Sequence, residues 1–353
     1  MNKVLLGGVA TALSVSAQAA ELKLNETWDK TFPKSDCVEH AKAMFRNRFG
    51  ITLAADVYKP KDKAGRFPAI AVSGPFGAVK EQASGLYAQT LAEHGFLTIA
   101  FDPSFTGESG GTPRNTTSVD LCTEDFSAAV DYLVGRDDVD PDRIGICGIC
   151  GWGGFAINAA AIDARIRVTV AVTMYDMNRV MANGYFDAAD SASARNLLRQ
   201  RFGEQRTADA KAGFAKPAGG VPEKLPENAP QFAKDYQAYY KTSRRFHPRS
   251  PNSTDGYGVI SRLAIANSPI LAYADEIERA VMVVHGEKAH SRYFGEAAFK
   301  KLKGDNKELV IVPGASHCDL YDGGGKNAIP FDRIEAFYRR NMEWSSSQKE
   351  PKQ

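Results

Sequence analysis

An α/β architecture built on a doubly wound, mostly parallel sheet is predicted by three features: short apolar strands, helical stretches alternating with them, and a glycine cluster directly after one strand. Ile51 to Tyr58 alternates like a half-buried strand. Pro68 to Ser73 and Leu97 to Asp102 are apolar runs ending at turns, with helical spacing from Ala78 to His94 between them. Ser118 to Val134 then predicts a helix, Arg143 to Cys150 a strand, Gly151 to Ile162 a helix and Arg167 to Asp176 a strand. Near-continuous apolar strands suit a sheet covered on both faces.

The alternation stops at Met177 and returns at Arg279. Between them the chain is polar, helical in patches such as Ser191 to Phe202 and Ala229 to Tyr240, and broken by a Pro/Gly-rich stretch from Lys216 to Pro230. Arg279 to His285 then predicts a strand, Arg292 to Leu302 a helix, Glu308 to Val312 a strand and Pro330 to Trp344 a last helix. The chain therefore divides into a core of residues 21–176 and 279–345 and an insertion of residues 177–278. Placed just before the last two strands, that insertion reads as a helical lid over the active face.

The 353 residues, 43% of them hydrophobic, can bury a core of this size. With 44 basic against 42 acidic residues the formal charge is only +2, which predicts a small-molecule partner and no nucleic-acid surface. Residues 1–20 combine Lys3, an apolar stretch from Val4 to Val15 and Ala17-Gln18-Ala19, the layout of a signal peptide. An exported protein is expected, periplasmic in a Gram-negative host or secreted. No later segment approaches the roughly 20 apolar residues of a membrane span. Oligomeric state is not encoded in these features. Five cysteines leave at least one thiol unpaired in an oxidising compartment, with Cys37 and Cys122 as one conceivable disulfide.

Residues 143 to 154, Arg-Ile-Gly-Ile-Cys-Gly-Ile-Cys-Gly-Trp-Gly-Gly, have the layout of a nucleophile elbow, a sharp strand-to-helix turn that lifts one side chain above the sheet. The lifted residue is Cys150. Gly148 stands two places before it, and Trp152 stands two places after it, where the usual pattern has glycine. A thiol ionises far closer to neutrality than a serine hydroxyl, and the amino end of the following helix is expected to lower its pKa further. His317 follows the last strand through a turn, the place of the general base in nucleophile, acid, histidine order. For the acid there are two candidates, Asp176 at the end of the preceding strand and Glu287 in the loop after His285; a dyad with neither is a third option. Gly151 and Phe76 are the expected backbone donors of an oxyanion hole, since Pro75 has no N–H. In the insertion Arg244, Arg245 and Arg249 are candidates to hold a substrate carboxylate. Cys147 and Cys150 also spell Cys-x-x-Cys, a redox reading disfavoured because Cys147 falls inside the strand.

The elbow resembles those of the α/β-hydrolase superfamily, in particular its dienelactone-hydrolase-like branch with a cysteine nucleophile. Further similar stretches are Gly74 to Glu81, Phe101-Asp102-Pro103 with Thr106 to Ser109, Met174 to Met177, His247 to Ser250, His285 to Lys288, and His317 to Asp322. Trp152 and Ala289, where the superfamily commonly has a carboxylate, depart from the pattern. The resemblance implies hydrolysis of an ester, thioester or lactone through a cysteine acyl-enzyme, with no cofactor and no metal. A rival expectation is a catalytically silent protein that keeps the fold and binds a ligand in the lidded cleft, favoured if Trp152 crowds the elbow.

Overall fold

A computed structural model describes residues 22–343; the signal peptide predicted over residues 1–20 lies outside the described residues. Eight strands form one sheet: β1 (Val38–Arg46), β2 (Thr52–Pro60), β3 (Phe67–Ser73), β4 (Leu97–Phe101), β5 (Val139–Ile149), β6 (Val168–Val172), β7 (Ala280–Gly286) and β8 (Lys307–Val312). Their order is β1-β2-β4-β3-β5-β6-β7-β8. β1 pairs antiparallel with β2 and β2 with β4, while all neighbours from β4 to β8 run parallel. The doubly wound, mostly parallel α/β sheet is thus present.

Every residue of β4, β6 and β7 is buried, because helices cover both faces and no side of these strands meets water. α1 (Ala83–Glu93) and α10 (Phe331–Glu343) touch each other on one face; α2 (Val119–Val134) packs against α3 (Gly151–Ile162) on the other. Ser118 caps α2, its hydroxyl accepting from Leu121 N–H at 3.3 Å.

Three departures from the sequence expectation bear on the site. β1 lies in a stretch with no apolar run: it is an edge strand whose alternate residues face water, and its pairing with β2 holds it in place. β6 stops at Val172 rather than at Asp176, because Thr173 turns the chain with φ 45°. The helix expected from Ala78 begins only at Ala83, the residues before it forming a loop beside the carboxyl edge of the sheet.

The segment between β6 and β7 carries α4 (Met177–Asn183), α5 (Ala192–Ala212), α6 (Gln231–Tyr240) and α7 (Ser261–Ala266). α5 continues ten residues past the expected Phe202 up to a left-handed Gly213, carried by polar helix formers while burying only Phe202 and Asp209. α8 (Arg292–Lys301) and α9 (Asp319–Asp322) complete the helices. Among the described residues no helix is long and apolar enough to cross a membrane.

Candidate active site

Cys150 stands between the last residue of β5 and the first of α3, with φ 59° and ψ −126°. A side chain other than glycine rarely adopts this conformation, and the surroundings must hold it there. Its N–H donates to Val172 O at 2.9 Å, and its carbonyl accepts from Gly153 N–H at 2.9 Å and Tyr175 N–H at 3.0 Å. Gly148 has to be small: a Cβ there would lie 2.1 Å from the Trp152 carbonyl oxygen. Trp152 does not crowd the thiol. Its indole is fully buried, edge-on to Phe101, Phe126 and Phe155 with centroids 5.2 to 5.7 Å apart.

The backbone N–H groups of Gly151 and Phe76 and the Tyr321 hydroxyl surround the Cys150 sulfur. Phe76 belongs to the loop after β3. The insertion buttresses that loop: Asn252 Nδ2 donates to Phe76 O at 2.8 Å, Asn252 N–H to Gly77 O at 2.9 Å, and Ser250 Oγ to Gly77 O at 2.8 Å.

His317 is buried in the loop between β8 and α9. Its Nδ1 lies 2.6 Å from Ser291 Oγ and 2.8 Å from Thr173 Oγ1. Its Nε2 lies 2.8 Å from the Tyr321 hydroxyl, which also reaches the sulfur. Burial pushes the Cys150 thiol above its ordinary range despite these donors and the helix amino end, so the lowered pKa expected from sequence is not found. Burial likewise holds the His317 imidazole well below its usual pKa, assisted by His290 and His285 nearby. Both groups rest neutral.

The sulfur faces a cavity of about 450 Å³. The core contributes Phe76, Tyr175 and Tyr321; the inserted segment contributes Met177, Met181, Phe202, Tyr236 and Tyr240. Among the described residues no carboxylate lines it, and Arg262 is its one charged lining residue.

Residues 50–319 match the model of the family described as X-Pro dipeptidyl-peptidase (S15 family). The chain belongs to the S15 family. It is 52% identical over 335 residues to the uncharacterized protein PA2218 of Pseudomonas aeruginosa, covering 94% of this chain and 89% of that one. The crystal structure of that hypothetical protein superposes with a TM-score of 0.88 over 92% of this chain and 100% of the other. The thiohydrolase aneE of Aspergillus aculeatus is 35% identical over 105 residues, 30% of this chain and 33% of the relative. The α/β hydrolase GrgF from Penicillium sp. sh18 shares the fold, with a TM-score of 0.71 at 21% identity over 86% of this chain and 99% of that one. This S15-family chain has the α/β-hydrolase fold.

None of the remaining predicted residues is bonded to His317. The Asp176 carboxylate, beyond the strand end, caps α4 by accepting from Arg179 N–H at 3.0 Å, and burial raises its pKa. The exposed Glu287 accepts from Gly314 N–H at 2.7 Å. Neither carboxylate is bonded to His317, whose Nδ1 meets two hydroxyls instead. Arg244 and Arg245 both grip Asp322, at 2.7 and 3.1 Å, and Arg249 grips Asp29 at 2.7 Å and Glu81 at 2.8 Å. All three are engaged in ion pairs and none lines the cavity of this S15-family chain.

Arg249 joins a buried ionic cluster assembled by segments the sequence had flagged only by resemblance. Glu81, Asp102 and Glu108 converge on Lys80 Nζ at 2.6, 2.8 and 2.6 Å. Lys30 and Lys42 meet Asp56 at 2.9 and 3.0 Å. The three acids on Lys80 are close enough to suggest a cation site, and the ammonium itself fills that place. Nothing local in the sequence announces this cluster, whose members are up to 220 residues apart.

All five cysteines are free. Cys37 is exposed and Cys122 buried against Thr117, so the conceivable disulfide is not formed. Cys147 is sealed inside β5, its thiol pushed up to about 12 by burial and bonded to Tyr338 of α10, while Cys150 faces the cavity. The two do not form a dithiol centre. Thr173, Ser291 and Tyr321 are site residues that the sequence analysis does not single out. Only Tyr321 carried a readable signal, its spacing of four from His317.

Proposed function

We propose that this hydrolase cleaves an ester-type bond, a carboxylic ester, thioester or lactone, through an acyl group carried on Cys150. The observation that carries the reading is the Cys150 sulfur, held at a strained elbow on a cavity floor with the N–H groups of Phe76 and Gly151 beside it. His317 is the base that finally accepts the thiol proton. As the sulfur bonds to the acyl carbon, the carbonyl electrons move onto oxygen, where two backbone donors meet them. Collapse expels the alkoxide or thiolate, which takes the proton back from the imidazolium. Water, deprotonated by the same imidazole, then attacks the thioester, and the sulfur leaves with its proton restored. The inserted helices act as the lid that keeps bulk water from this cavity.

The S15 family is described as one of X-Pro dipeptidyl-peptidases. A dipeptidyl-peptidase has to hold a free α-ammonium, which calls for a carboxylate in the pocket. The cavity lining has none, and its aromatic and aliphatic walls suit an acyl chain. The partial match to a named thiohydrolase agrees with an acyl thioester substrate. With Trp152 packed away from the thiol, the feature that favoured a silent binding protein is gone. The proposal includes export through residues 1–20.

The test is a panel of short and long p-nitrophenyl esters, thioesters, lactones and Xaa-Pro p-nitroanilides, read by turnover and by intact mass. Ester or thioester turnover with an acyl adduct that disappears in Cys150→Ala is expected. Turnover confined to Xaa-Pro substrates, or undiminished in Cys150→Ala, would refute the reading.

A further inference from the structure

We propose that Tyr321 is a catalytic residue, carrying the thiol proton of Cys150 to His317. This rests on the reading of Cys150 as nucleophile and His317 as base, and it names how the two communicate.

The hydrogen-bonding partner of His317 Nε2 is the Tyr321 hydroxyl, 2.8 Å away, and the same hydroxyl reaches the Cys150 sulfur. On the other side of the ring, Ser291 and Thr173 hydroxyl oxygens sit 2.6 and 2.8 Å from Nδ1. With Nδ1 protonated and donating to those oxygens, Nε2 carries the free lone pair. That lone pair accepts from Tyr321 O–H, whose oxygen in turn accepts from the thiol. The hydroxyl is held in this place. Tyr321 is fully buried, its ring edge-on to Tyr239 at 5.0 Å, and its neighbours are anchored: Leu320 O accepts from Tyr87 OH at 2.6 Å, and Asp322 is gripped by Arg244 and Arg245.

The step balances without an ionised tyrosine. As the sulfur bonds to the acyl carbon, its S–H bond breaks and that proton bonds to the Tyr321 oxygen. The original Tyr321 O–H bond breaks and its proton bonds to Nε2. Imidazolium and a tetrahedral oxyanion result, and the phenol is neutral before and after. A relay of this kind suits a buried site, because moving two protons together avoids an isolated buried charge on the phenol.

The experiment follows single-turnover formation of the Cys150 adduct from a p-nitrophenyl ester in mixtures of light and heavy water. In the wild-type protein the rate is expected to bend downward quadratically with deuterium fraction, the mark of two protons in flight. Tyr321→Phe is expected to lower the acylation rate by about 100-fold or more, with little change in KM and a linear dependence on deuterium. A linear dependence in the wild type, or near-wild-type acylation in Tyr321→Phe, overturns the relay while leaving Cys150 as nucleophile. Absence of any adduct on Cys150 in the wild type overturns the nucleophile and the relay with it.

Discussion

Gly74 and Trp152 fill complementary halves of one space: a Cβ on Gly74 would lie 2.8 Å from the Cβ of Trp152 and 2.3 Å from the Ile149 carbonyl oxygen. The elbow therefore tolerates a bulky residue two places after the nucleophile because the neighbouring strand β3 is followed directly by a glycine, with φ 101°. Gly74→Ala is expected to move the elbow and lower turnover by at least about tenfold in a chain that still folds. Trp152→Ala leaves the turn free but empties the aromatic cluster, at about 3–5 kcal/mol of stability. Turnover assays and urea denaturation of the two variants separate these effects.

Alkylation of Cys150 by iodoacetamide should be slow at neutral pH and accelerate as pH rises past the ordinary thiol range. Burial raises the thiol pKa, and only the thiolate reacts. The check is a rate-against-pH profile with the modified residue located by mass spectrometry. A profile flat from pH 6 upward would mean a preformed thiolate.

Because Nδ1 of His317 meets hydroxyls, the Ser291→Ala and Thr173→Val pair of substitutions together should lower kcat by roughly tenfold or more. Asp176→Asn and Glu287→Gln, whose carboxylates cap α4 and brace Gly314, should each change kcat only a few-fold. A large loss in either carboxylate variant alone would restore the acid to the triad.

Much of this arrangement was legible in the sequence, and the reasons for the exceptions are physical. Core strands were readable because burial on both faces makes them continuously apolar, and the elbow because its glycines answer to one tight turn. β1 is an edge strand with alternate residues in water, so its composition is that of a loop. Asp176 was misplaced because the apolar run continues through Met174 and Tyr175 after β6 has ended at Val172; those residues are buried by packing, not by sheet pairing. Phe76 and Gly151, proposed as the oxyanion donors, both follow strand ends, and their N–H groups lie beside the Cys150 sulfur. Arg244, Arg245 and Arg249 could not be assigned, because their carboxylate partners lie 77 to 220 residues away.

Stability should fall as pH drops below about 6.5. Burial lowers His285 to about 3 and His290 to about 4, so both stay neutral in the folded chain while an unfolded chain takes up their protons. Each contributes a loss of up to about 1.4 kcal/mol per pH unit between its unfolded and folded pKa values. Urea denaturation of wild type and His285→Leu at pH 7 and pH 5 checks the sign: the gap between the two pH values should be smaller in the variant.

Removing the ammonium from the buried cluster should be severe. Lys80→Met leaves Glu81, Asp102 and Glu108 facing one another without their shared cation, at about 3–5 kcal/mol. Thermal unfolding measures the loss, and a shift within a degree or two of wild type would contradict it.

Arg244 and Arg245, just past the end of α6, hold Asp322 of α9 one residue beyond the proposed proton carrier. A hinge motion that swings α6 outward must either sever that ionic fork or drag α9 along. If the proposed relay holds, loosening that fork is expected to disturb the Tyr321 hydroxyl as well as the cavity wall.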